Sequence, residues 1–285
     1  MKIAIIGTSP IMLIRALILS GQHNVKIFDP SKIIGGAWGM KGLENKLNIP
    51  AQTNAVIPTS LKEEKKIIKI NKFLKKNFNI KSQKFDNFQF NQNYKPNNIF
   101  FYDLSSLYHK VKKEITIINK RINKILIKND DFYLRNEKFD QVLIPYFNSI
   151  NLIEYNKKKI LIDYQLFKSK HICCLLNKGM SKKLVYNEFT DKVFDRYLIN
   201  GKKNYFVGRI SREYKNKNFK NLINDTNISF LNKKNISKKF FFYYKNFKRN
   251  EEQIKTLVKI KNKNLKIVNT KQFATSLTKL FNIHE

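Results

Sequence analysis

The chain has 285 residues, 42% hydrophobic and 13% aromatic, enough for one large domain or two interleaved ones and too apolar for a disordered tail. Its formal charge is +35, from 56 Lys and Arg against 21 Asp and Glu, yet only seven of the 56 are arginine. Lys, Asn, Ile, Phe and Tyr are the residues that AT-rich codons specify, so the charge is read as composition; a nucleic-acid reader is expected to use the forked guanidinium more.

The first nineteen residues look superficially like a secretion signal, with Lys2 ahead of an apolar stretch. Gly7-Thr8-Ser9-Pro10 cuts that stretch, Arg15 charges it, and no small-residue cleavage pattern follows. No other run reaches the ~20 apolar residues of a membrane span. A cytoplasmic protein without a membrane span is expected. Ile3-Ala4-Ile5-Ile6 reads as a buried strand. Pro10 suits the first position of a helix, Thr8 or Ser9 its cap, and Gly21 its stop. Asn24-Val25-Lys26-Ile27-Phe28 is a second strand ending at Asp29, so the chain opens with a βαβ unit.

The chemistry of such a unit lies in the turn after its first strand. Glycines there let backbone approach a pyrophosphate on the helix N-terminus, and an acidic residue about 20 positions on takes the ribose hydroxyls. Asp29 stands 22 residues after Gly7. The turn reads Gly7-Thr8-Ser9-Pro10-Ile11-Met12, so only the first glycine of GxGxxG is present. Ser9 is small and offers a hydroxyl to a phosphate; Met12 replaces the glycine that allows close helix–strand packing. By itself this turn fits a ligand-free βαβ unit as well as a dinucleotide site.

Gly35-Gly36-Ala37-Trp38-Gly39 begins six residues after Asp29. With that doublet, residues 2–39 resemble the FAD-binding start of the glutathione-reductase-type flavoproteins. They are most similar to the branch of flavin amine oxidases, protoporphyrinogen oxidase and UDP-galactopyranose mutase. The resemblance implies FAD contacts at Gly7, Ser9, Pro10, Ile11 and Met12, ribose binding by Asp29, and passage along diphosphate and flavin at Gly35, Gly36, Ala37 and Trp38.

Residues 39–58 are loop-like, broken by Pro50 and Pro58. A lysine-rich amphipathic helix is expected over 61–77, its lysines a solvated face. Residues 81–98 look irregular. A helix capped within Asp103-Leu104-Ser105-Ser106 runs to about 113, followed by a strand at 115–118, a meander over 122–128 and 132–135, and a strand at 139–144 stopped by Pro145. This order resembles the second FAD-contacting segment of the same flavoproteins, which implies that backbone near Ile122 meets the adenine. The small Ala/Thr-Gly exit turn of those proteins is replaced by Pro145-Tyr146-Phe147.

Strand-like runs at 159–163, 171–176, 205–210 and 240–244 suggest an antiparallel second domain, and the resemblance implies a substrate domain inserted between FAD-binding segments. Arg196, Arg209 and Arg212 are candidates for a substrate carboxylate or phosphate, with surface ion pairing as the other reading. Cys173 and Cys174 are adjacent and the four histidines are scattered, which excludes a disulfide framework, a zinc module and a histidine metal site. His171 and Cys173 share a strand face, but no third group orients them, so they are read as core. A strand at 266–268 and a helix over 272–281, capped by Thr270, close the chain. No glycine occurs from 209 to 285, although the similar flavoproteins carry one there.

The fold class expected is α/β: an FAD/NAD(P)-binding Rossmann-like domain with a parallel sheet, plus an inserted antiparallel α+β substrate domain. Residues 1–60, 100–148 and 255–285 are assigned to the first and 61–99 and 149–254 to the second. Strands 3–6, 115–118, 141–144 and 266–268 should share one parallel sheet. The function expected is that of an FAD-dependent oxidoreductase, amine-oxidase-like or mutase-like, on a small substrate for which the arginines favour an anion. No metal is expected, and no NADPH domain, for want of a second glycine-rich turn. The alternative is a degenerate, flavin-free Rossmann-fold binding or partner protein. A basic nucleic-acid-binding protein ranks below both, because no RRM, zinc or helix-turn-helix signature occurs. No catalytic base or nucleophile stands out.

Overall fold

The computed structural model describes residues 1–30, 55–80, 82–84, 87–89, 94–102, 104–155, 157–177, 185–188, 193–194, 196–200, 203–210, 218–228, 233–260, 262–269, 275 and 277–279. The first half of the chain runs β1 (Lys2–Ile6), α1 (Pro10–Ser20), β2 (Asn24–Phe28), β3 (Ala55–Val56), α2 (Leu61–Phe78), β4 (Ser82–Lys84), β5 (Asn87–Gln89), β6 (Phe100–Tyr102), α3 (Leu104–Glu114) and β7 (Thr116–Ile118). Next come β8 (Lys124–Lys128), β9 (Asp131–Leu134), β10 (Glu137–Phe139), β11 (Gln141–Pro145), β12 (Leu152–Tyr155) and β13 (Lys158–Leu161). The last part holds β14 (Gln165–Leu176), β15 (Val185–Glu188), β16 (Arg196–Asn200), β17 (Lys203–Ile210), α4 (Phe219–Asn224), β18 (Ile236–Lys248), α5 (Glu251–Val258) and β19 (Leu265–Val268).

After Lys2, β1 is apolar from Ile3 to Ile6 because both faces of its sheet are covered, as parallel sheets require. The sheet has the order β19-β11-β1-β2-β7, with every neighbouring pair parallel. The four segments expected to share one parallel sheet do so. Ile3, Ile5, Val25, Ile27 and Leu143 point into one core with residues of α1, α2 and α3. Ala4, Ile6, Phe28, Val142 and Ile144 point into a second core, against Ile125, Ile127, Phe132 and Phe139 of a meander sheet ordered β10-β9-β8-β12-β13. The period-2 alternation thus divides the apolar run Ile3–Ile6 between a helical layer and a β layer.

Several local expectations change. The apolar run at 139–144 is two elements: Phe139 ends β10, antiparallel to β9, and Asp140 separates it from β11. Phe139 leaves the parallel sheet because its ring packs edge-on against Phe28 in the meander-side core, with ring centroids 5.7 Å apart. Residues 81–98 carry short strands, β4 and β5, held by pairing to β6 and β15 rather than by any period of their own. α2 and β12–β13 fall in segments grouped by sequence with the second domain. Yet Ile67, Ile70 and Leu74 of α2 enter the same core as Ile3, and β12 pairs in parallel with β8. α2 starts at Ser60, whose hydroxyl accepts from the Glu63 N–H, and ends at left-handed Asn79; Lys65, Lys69, Lys72 and Lys75 are exposed on it.

A six-stranded sheet, β18-β14-β17-β16-β15-β5, is antiparallel except for the β15–β5 pair. β14 and β18 run 12 and 13 residues, about twice what their apolar centres suggested. The polar ends extend because each strand pairs with the other along its length. Gly208 in β17 permits a close crossing: a Cβ there would lie 1.8 Å from the carbonyl oxygen of Val193. Residue 275 and residues 277–279 are helical, and Leu277 is buried in the core beside α1; Thr270 lies outside the described residues.

Candidate functional site

From β1 the chain returns to β2 on one side, and β11 joins later on the other. Ligands of open α/β sheets bind outside the carboxyl ends of the strands at such a switch. Gly7 leaves β1 at φ +86°, a conformation that L side chains disfavour, and its N–H donates to the Phe28 carbonyl at 2.7 Å. Across the switch stands Pro145 of β11, whose Cγ would be 3.7 Å from a Cβ on Gly7.

Ser9 holds the N-cap position and Pro10 the first turn of α1, but the Ser9 side chain does not cap the helix. Its backbone carbonyl accepts from the N–H groups of Met12 and Leu13, while its Oγ is buried without a hydrogen-bond partner. Thr8 does not cap either. Its Oγ1 donates to Oδ2 of Asp29 at 2.5 Å, so turn and strand end are linked across 21 residues. Asp29, directly after β2, is only 6% exposed. Its N–H donates to the Ile118 carbonyl at 3.1 Å, which ties it to β7 as well. Ile11 and Met12 are buried in the core between helices and sheet, so Met12 takes the place of a glycine as a packing residue.

The exit from β11 is pinned from a distance. Arg249, between β18 and α5, is 2% exposed. Its guanidinium donates to the carbonyls of Tyr146 and Asn148 at 3.0 Å each, to Oδ1 of Asn148 at 3.3 Å, and to the carbonyl of Ile150. Burial pulls its pKa down to about 10, which leaves it charged at neutral pH. Asn148 also donates to the Pro145 carbonyl and accepts from the Ile150 N–H, and Ser149 Oγ donates to the Ile122 carbonyl at 2.7 Å. Ile122 is thus buried and its carbonyl is already engaged by the β11 exit.

The structure brings Gly7, Ser9, Pro10, Ile11, Met12 and Asp29 together. Gly35, Gly36, Ala37, Trp38 and Arg212 lie outside the described residues. Arg196 in β16 pairs with Val207, two positions along β17 from Arg209, so these two arginine positions are on adjacent strands. Cys173 and Cys174 are both buried; burial drives both thiols up, that of Cys174 to about 12, so neither supplies a thiolate near neutral pH. Their core reading stands. Sequence reasoning missed the roles of Thr8 and Arg249. The signal for Arg249 was its place immediately before a capping box, Asn250 with Gln253, where a fixed helix start holds it in one position.

Among the described residues no helix is long and apolar enough to cross a membrane, and no three His, Cys, Asp or Glu side chains are grouped to hold a metal ion.

No family model and no curated protein matches the chain. Among solved structures it is similar to a glycine oxidase from Geobacillus kaustophilus, at 10% identity over 99% of this chain and 93% of that one, with a TM-score of 0.52. It is also similar to a Pyrococcus furiosus protein, at 10% identity over 99% and 97% of the two chains, with a TM-score of 0.50. At this identity the likeness is one of fold: α/β, with a Rossmann-like parallel sheet and further sheets.

Proposed function

We propose that the chain binds FAD at the β1–β11 switch and serves as an FAD-dependent oxidoreductase on a small substrate. The observation that carries this reading is the Ser9 hydroxyl, buried and unpartnered at the start of α1. A buried hydroxyl without a partner costs about 1–3 kcal/mol, and a phosphate oxygen accepts the bond it lacks. Gly7 lets backbone approach the diphosphate, and the α1 N-terminus favours its charge. Thr8 orients Asp29, whose carboxylate accepts from ribose hydroxyls. Gly35, Gly36, Ala37 and Trp38 extend the contact toward the flavin, and Ile122 meets the adenine. Bound FAD supplies the redox or electron-donating chemistry, and the chain supplies binding and orientation.

The substrate side is built by the six-stranded sheet, where Arg196 and Arg209 stand on adjacent strands; these two, with Arg212 in the sequence that follows β17, favour an anion. A glycine oxidase among the neighbours by fold supports oxidation of a small amine; the arginines equally support a mutase-like reaction on an anionic sugar nucleotide. One observation favours a second reading, a flavin-free binding protein: Asp29 already accepts the Thr8 hydroxyl. The absorption spectrum of the purified chain, with mass analysis of any released ligand and FAD titration of the ligand-free protein, decides between them. Flavin bands or saturable FAD binding are expected; absence of both overturns the proposal.

A further inference from the structure

One face of α2 is turned away from the core, and its charge is of a single sign. Lys62, Lys65, Lys69, Lys72 and Lys76 are all exposed. They follow one another at spacings of three and four residues, so each is the surface neighbour of the next. The row is about 21 Å long at the rise of an α-helix. The two carboxylates of α2 are buried on its other side. Glu63 accepts from the N–H and Oγ1 of Thr59, and Glu64 accepts from the Tyr94 hydroxyl, the Asn97 N–H and Asn98 Nδ2. Among the described residues the five lysines form no ion pair.

An abundance of lysine does not by itself give this arrangement. On the meander sheet Glu137, Asp131 and Glu154 each hold a lysine. On α2 like charges stand side by side, which weakens a helix, and Lys62 lies in the first turn, where the helix dipole disfavours a cation. Two exposed apolar side chains flank the row. Leu61 at its start is 51% exposed, and Phe73 near its end is 39% exposed while its ring packs on Phe78. Leu61, Lys65, Lys69 and Phe73 are four residues apart in turn and share one ridge of the helix.

We infer that this face of α2 docks the protein on an anionic lipid surface. A row of cations matches the negative potential of such a surface, where each lysine strengthens adsorption about fivefold. Leucine and phenylalanine beside the row enter the boundary between headgroups and acyl chains. Lysine is a point charge that suits a fluid array of headgroups, whereas nucleic-acid phosphates are met best by the forked guanidinium, and α2 has no arginine. No residue of this face belongs to the proposed cofactor site.

Co-sedimentation of the full chain with phosphatidylcholine vesicles, plain or containing phosphatidylglycerol, tests this. Binding to the anionic vesicles alone is expected, and it should fall as salt is raised. Lys65→Gln, Lys69→Gln and Lys72→Gln together should weaken it at least about fiftyfold. The control removes the same charge from exposed Lys157, Lys158 and Lys159 in the β12–β13 hairpin, in the layer on the other side of the parallel sheet, and should weaken binding less than about fivefold. Leu61→Ser should weaken it several-fold at unchanged charge. The α2 triple variant should melt no lower than wild type, since like charges are removed, which separates binding from folding. Equal losses in the two triple variants, as net charge alone would give, overturn the inference, and so does equal binding to plain and anionic vesicles or binding to neither. Binding of a random-sequence DNA duplex that the α2 variant loses, with no binding to vesicles, overturns it in favour of a nucleic acid. Loss of FAD binding leaves the vesicle result intact and strikes only the cofactor proposal.

Discussion

The two ends of the parallel sheet are built on opposite principles. Toward the amino end polar groups are matched: Lys2 and Lys26 contact Glu137 at 2.8 and 2.5 Å, and the Lys2 N–H donates to Asp140 at 2.7 Å. At the carboxyl end a buried serine hydroxyl has no partner, and a buried carboxylate is held by a threonine of the turn. The first arrangement is complete within the chain. The second leaves bonding capacity at the carboxyl ends of the strands, where ligands of open α/β sheets bind.

Breaking the support of the open end should have the largest effect. Arg249→Met leaves the carbonyls of Tyr146, Asn148 and Ile150 without their donor in a buried place, and should lower stability by about 3 kcal/mol or more, measured by urea unfolding. Because the β11 exit is what it pins, flavin retention should fall with it. Gly7→Val forces a branched side chain to φ +86°. It should cost about 1–2 kcal/mol and abolish FAD retention, seen as loss of flavin absorbance on gel filtration. Ser9→Ala sharpens the comparison, because it removes an unpartnered group. Stability should stay equal or rise by up to about 1 kcal/mol while FAD affinity falls, a split that a purely structural serine does not give.

The smallest effect belongs to the matched end. Lys2 first, then Lys26, holds the Glu137 carboxyl below the ordinary carboxylate range. Its contribution is present above that range and is lost as pH falls through it. The melting temperature of wild type should therefore drop more on acidification than that of Glu137→Gln, and the difference should shrink with added salt, since these groups are about a third exposed. Equal acid sensitivity in both proteins would remove the contrast between the ends.

Much of the sheet was legible because its strands, covered on both faces, are short apolar runs: Ile3 to Ile6 and Val142 to Ile144 need no partner to be recognised. β14 and β18 were legible only at their centres, since the lysines and polar residues of their ends are strand-forming through pairing with each other. Gly7 and Asp29 were legible by spacing. The Thr8–Asp29 bond and the Arg249 clamp were not, because both join residues far apart in the chain, and no local pattern records a contact across 21 or about 100 residues.

The central claim, that the open end of the sheet receives FAD, is tested most directly by equilibrium titration of FAD into wild type and Asp29→Asn. The amide keeps an acceptor for Thr8 and the volume of the buried site, and removes only the charge. Charge-assisted bonds contribute about 1.5–3 kcal/mol each, so binding should weaken at least about tenfold with melting temperature little changed. Equal affinities, or no binding to either protein, would contradict the account and leave a Rossmann-like scaffold without this ligand.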